Sequence, residues 1–116
     1  HLRESGIQAI DMLADNAYLT MLSNDYSYDT ASEHMAALFG DSSLFVISGS
    51  GDSENVLKLV RPANPRRKYG LFGNRGGQAL PYCNPAIVLK TSDYSIIEDI
   101  HLSLVHMISE GLRGRT

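Results

Sequence analysis

At 116 residues and a formal net charge of −3, the chain is long enough for one hydrophobic core and too short for a second. Its 43% hydrophobic and 20% charged residues are those of an ordinary globular domain, and the mild acidity offers no basic field to nucleic acid or to acidic lipid. The one cysteine, Cys83, excludes an internal disulfide and a cysteine-rich zinc site. That cysteine usage points to the cytoplasm. No apolar run approaches the roughly 18 residues of a membrane span, and no signal peptide heads the sequence. The first residue is not Met, so a processed or truncated start stays open.

In chain order, Gln8 to Leu13 is a short apolar segment of strand type, followed by cap-type residues at Asp15 and Asn16. "AYLTMLSND" reads as a brief helix closing at Asn24. "SYDTASEHMAALFG" predicts a second helix, with Ala31, Met35, Leu38 and Phe39 at helical spacing and Gly40 as its C-cap. "SLFVISG" is a continuous apolar run of the kind buried on both faces of a parallel sheet. "SENVLKLV" opens a helix that Pro62 stops, because proline lacks the amide proton and disfavours helical geometry at Arg61. Arg66, Arg67 and Lys68 form a short basic run with the character of a solvated loop. "KYGLFG" and "PAIVLKT" are two further strands. "SIIEDIHLSLVHMISEGLRG" is the longest helix, with Ile97, Ile100, Leu104 and Ile108 on one stripe and an end at Gly111 or Gly114. Strands alternating with helices predict an α/β fold, a parallel sheet flanked by helices on both faces, in one domain over residues 1–116.

The stretch "FVISGSGDSENVLKLV" is where this fold predicts a ligand, because in a parallel sheet ligands sit beyond the carboxyl ends of the strands. Gly49 and Gly51 let the backbone approach an anion, and Ser48, Ser50 and Ser53 supply hydroxyl donors. The loop lacks the Gly-Lys-Ser/Thr ending of a nucleotide-binding P-loop and does not fit G-x-G-x-x-G. A single phosphate on a small molecule is expected, with no nucleotide cofactor. The plainer alternative is a strand-to-helix turn in which Ser53 is only an N-cap.

"ISGSGDSENVLK" resembles the "STSGNSxNVxxA" signature of SIS (sugar isomerase) domains. "LSNDYSYD" resembles the "GNDxGF" segment of the sedoheptulose 7-phosphate isomerases, or phosphoheptose isomerases, within that family. "GNRGGQAL" is similar to their "GxDGGxL" loop, and "SDYSIIEDIHLSLVHMI" to their C-terminal "IQExHxxxxHxL" helix. The four motifs run in the family's order across residues 15 to 110.

The resemblance implies a flavodoxin-like three-layer sandwich of SIS type, with Ser48, Ser50 and Ser53 holding a sugar phosphate and Gly49 standing where the family usually has Thr. It implies an active-site role for Asp25, for which the local alternative is a turn cap. It gives His106 acid-base chemistry or a metal, and a group titrating near neutrality suits proton transfer through an enediol. His101 lies about 140° from His106 round the helix and reads as a bystander. Glu98 stands where the family commonly has Gln, which in some members binds zinc together with the histidine, so zinc at Glu98 and His106 is implied. Their separation along the helix, about 12 Å of rise, strains a shared ion. Glu98 also fits a capping box with Ser95.

The family's first strand, its "GNGGS" loop and a helix carrying a catalytic Glu and a zinc-binding His have no counterpart here, so the match covers roughly the last two thirds of the family domain. "RPANPRRK" also replaces the usual helical run, leaving that face of the sheet less covered. A missing neighbour strand exposes a sheet edge and predicts self-association, and the family is typically tetrameric with interface active sites. Two functions follow. One is isomerisation of sedoheptulose 7-phosphate to a heptose 7-phosphate for surface polysaccharide, including lipopolysaccharide. The other is a non-catalytic SIS module that binds a sugar phosphate or a protein partner.

Overall fold

The computed structural model describes residues 9, 11, 16–40, 42–62 and 66–114. The apolar segment from Gln8 to Leu13 lies outside these except for Ala9 and Asp11, which are in no helix or strand. Helices α1 (Asn16–Asp25) and α2 (Tyr28–Ala37) come first, followed by β1 (Leu44–Ser48), α3 (Glu54–Val60), β2 (Lys68–Gly73), β3 (Ala86–Leu89) and α4 (Tyr94–Leu112).

Ser27 divides the first two helices, accepting a hydrogen bond from the Thr30 amide as the N-cap of α2. The pair is held by Leu22, Ala31 and Met35, with Tyr18 and Leu19 packed against them. The second helix ends at Ala37, short of the expected Leu38, Phe39 and Gly40. Its carboxyl end is closed by the amides of Leu38 and Phe39, which donate to Met35 O and Ala36 O, and by the Arg66 guanidinium, which donates to the carbonyls of Ala36 and Gly40. Lys68 Nζ does the same for α3, donating to Val60 O and Pro62 O at 2.8 Å each. Two members of the basic run are therefore helix caps, where cations meet the negative end of the dipole, and the solvated-loop expectation holds only for the exposed Arg67.

The sheet is three-stranded and parallel in the order β1-β2-β3. On one face Val46, Phe72, Leu57 and Val60 form the main core with Ala79 and Cys83, and α3 seals it although it is only seven residues long. Full burial of side chains of this size stabilises by about 1.5–3 kcal/mol each. On the other face α4 crosses β2, with Ile97 fully buried. Ile47, Leu71 and Ile87 form one cross-strand row. Leu71 is buried, whereas Ile47 and Ile87 on the flanking strands are 53% and 42% exposed. Helices thus flank both faces, but the less covered face is the one under α4 and not, as expected from the shortened helix, the one under α3. The physical reason is that a single helix shields one strand of three, while α3 is backed by α2.

Candidate active site

The carboxyl end of β1 runs straight into the Ser-Gly loop. Ser48 Oγ accepts the Gly51 amide at 3.0 Å and Ser50 Oγ accepts the Asp52 amide at 3.2 Å. Both hydroxyls use a lone pair for the loop and keep their protons to donate. Ser53 stands at the N-cap of α3, yet its side chain makes no capping hydrogen bond. The plain cap reading therefore does not account for its hydroxyl.

A second segment moulds this loop. The Gly73 amide donates to Gly49 O and the Ala79 amide to Gly51 O, both at 3.0 Å, and the Gln78 amide donates to Asp52 Oδ1 at 2.8 Å. Gly51 has φ +68°, and a Cβ there would lie 2.1 Å from the Gly76 carbonyl oxygen. Only glycine combines that backbone with that approach. The motif "GNRGGQAL" thus sets the shape of the motif "ISGSGDS". Gly49 has a different reason, since its missing Cβ would lie 2.7 Å from the ring of Tyr94.

Between this loop and α4 lies an open cleft of about 540 Å³. Ser48, Gly49, Ser50 and Ser53 line it from the loop, and Glu98 and His101 from the helix. The capping-box expectation for Ser95 and Glu98 is overturned. Asp93 is the N-cap, its carboxylate accepting the amides of Ser95 at 3.0 Å and Ile96 at 3.4 Å. A charged acceptor two residues earlier takes the orphan amides, so the helix starts upstream and Glu98 falls on the cleft.

His101, the expected bystander, is only 4% exposed, with Nε2 at 3.0 Å from the Phe72 carbonyl oxygen. Sequence periodicity put Ile100 inside, but the stripe is shifted by one residue and Ile100 is exposed. The available signal was spacing, because residues three apart share a helix face and Glu98 already marked this one. Tyr94, also in the cleft wall, carried no such signal.

Asp25, the last residue of α1, and His106 on α4 are both exposed and stand outside the cleft lining. The structure therefore unites the four loop residues with Glu98 and leaves Asp25 and His106 apart from them. No group of three or more metal-ligating side chains occurs among the described residues. These residues do not fit a zinc site by themselves, which needs at least three protein ligands. Burial pushes the Cys83 thiol up against the opposing charge of Lys68, leaving it poorly suited as a nucleophile. No helix among the described residues is long and apolar enough to cross a membrane.

No family model matches the chain. Among curated proteins it is 29% identical to a phosphoheptose isomerase of Helicobacter pylori (strain P12) over 113 residues, which is 94% of this chain and 59% of the relative. Among solved structures it superposes on a phosphoheptose isomerase from Francisella tularensis with a TM-score of 0.86 at 24% identity, covering 99% of this chain and 68% of the other. A phosphoheptose isomerase from Neisseria gonorrhoeae gives 0.84 at 25% identity, covering 96% and 65%. The chain thus spans about six-tenths of the length of the curated relatives it matches.

Proposed function

We propose that this chain, a relative of the phosphoheptose isomerases, carries the phosphate-anchoring part of an enzyme that interconverts sedoheptulose 7-phosphate and a heptose 7-phosphate for surface-polysaccharide synthesis in the cytoplasm. The observation that carries this reading is the convergence of Ser48, Ser50 and Ser53, each with a hydroxyl proton to donate, on a cleft whose far wall holds Glu98. Three neutral donors suit a phosphate monoester, and a carboxylate beyond them suits the carbon chain. The comparisons give the non-catalytic alternative no support.

In this reading Glu98 acts on the sugar in the cleft of its own chain. Asp25 and His106, exposed and off the lining, act in the cleft of a second copy within a homo-oligomer, a tetramer by resemblance. The surface of α4 favours such assembly. Ile96, Ile100 and Met107 are exposed and lie within about 40° of one another round the helix, an apolar stripe separate from the buried one. Zinc would need further ligands beyond Glu98 and His106.

The test is incubation with sedoheptulose 7-phosphate in deuterated water, followed by proton NMR. Turnover with deuterium uptake at C1 is expected, and His106→Ala should lower it by at least about a hundredfold while ligand binding persists. Normal isomerisation by that variant would remove His106 from the chemistry. Absence of both exchange and ligand binding would overturn the function.

A further inference from the structure

The chemistry assigned above leaves His101 unused. Its Nε2 faces a backbone carbonyl, which can only accept, so Nε2 carries a proton, and in the tautomer protonated at Nε2 alone Nδ1 is an acceptor. No other hydrogen bond reaches the ring among the described residues, and no buried side-chain nitrogen or oxygen there lacks a partner. Nδ1 is therefore not sealed in the core. The little surface His101 keeps includes that atom, and the residue lines the cleft. One edge of the ring is thus fixed at the end of β2, while Nδ1 keeps some surface on a residue that lines the same cleft as the serines.

We infer that His101 is a substrate-positioning residue whose Nδ1 accepts a hydrogen bond from a hydroxyl of the phosphosugar's carbon chain. This rests on the phosphosugar reading of the cleft. The loop serines can only fix the phosphate end. Ile97, Leu102 and Val105 add apolar wall, so a polyhydroxy chain gains its orientation from Glu98 and His101. A rigid acceptor anchored through a second hydrogen bond discriminates among hydroxyl patterns better than a flexible carboxylate does.

His101→Gln separates anchoring from recognition. The Gln amide nitrogen can still donate to the Phe72 carbonyl, while the acceptor at the Nδ1 position is lost. Titration of wild type and variant with sedoheptulose 7-phosphate and with inorganic phosphate should show the phosphosugar Kd rising about five- to tenfold. The phosphate Kd and the melting temperature should stay as in wild type. A variant that binds both ligands like wild type would reduce His101 to a core residue. If the variant does not fold, imidazole nitrogen NMR of the wild-type protein decides. Its His101 Nδ1 resonance should move on saturation with sedoheptulose 7-phosphate and stay in place with phosphate alone; an unmoved resonance overturns the proposal. Wild-type protein that binds neither ligand would sink the wider phosphosugar reading as well, an outcome distinct from a His101 that is merely silent.

Discussion

The two faces of the sheet are finished to different degrees. Under α3, Val46, Leu57, Val60 and Phe72 are closed off almost completely, and α2 packs against the helix. Under α4, one helix covers one strand, Ile47 and Ile87 stay half exposed, and a cleft opens beside the Ser-Gly loop. The same contrast runs through polar groups. Lys68 and Arg66 on the first side complete helix ends within the chain, whereas Ser53 and His101 on the second carry hydrogen-bonding capacity that the chain does not use. One face is closed by the chain itself, and the other leaves a cleft and two half-exposed isoleucines.

The contrast can be broken by mutation. Phe72→Ala should cost about 3–5 kcal/mol in urea unfolding, whereas Ile47→Ala, with half its surface already in water, should cost less than about 1 kcal/mol. Comparable losses would erase the distinction between the faces. For the homo-oligomer proposed above, Ile100→Asp with Met107→Asp should weaken association by at least about tenfold in Kd in sedimentation velocity, since two charges would enter the proposed apolar contact. Retention of the wild-type sedimentation coefficient would place the contact elsewhere. Gly49→Thr should weaken phosphosugar binding by about tenfold, because the new Cβ meets the Tyr94 ring. Adding Tyr94→Ala should recover most of that loss, and a double-mutant cycle with no coupling would contradict the contact. Ser53→Ala, which removes one hydroxyl donor, should weaken binding by about 1 kcal/mol in calorimetric titration with little change in melting temperature.

Much of this was legible in the sequence because local chemistry dictated it. The three strands fall in the segments SLFVISG, KYGLFG and PAIVLKT, Pro62 stopped α3 where expected, and the resemblance carried by four motifs is borne out by relatives of the same name and fold. Features that depended on tertiary register were not legible. Ser95 and Glu98 have capping-box spacing, but Asp93 competes for the same amides with a full charge and wins. Ile100 and His101 both sit near the edge of the apolar stripe. Which of them turns inward is decided by the Phe72 carbonyl, 29 residues earlier in the chain. Gly49, standing where the family usually has Thr, leaves space for Tyr94, a neighbour that helical periodicity does not reveal.

The central claim is that a sugar phosphate sits with its phosphate on residues 48–53 and its carbon chain toward α4. Amide NMR during titration with sedoheptulose 7-phosphate tests it most directly. The account predicts saturable shifts at Gly49, Ser50, Gly51 and Ser53, with further shifts at Glu98 and His101 that inorganic phosphate does not reproduce. Saturable shifts confined to other parts of the molecule, or none at millimolar ligand, would contradict it.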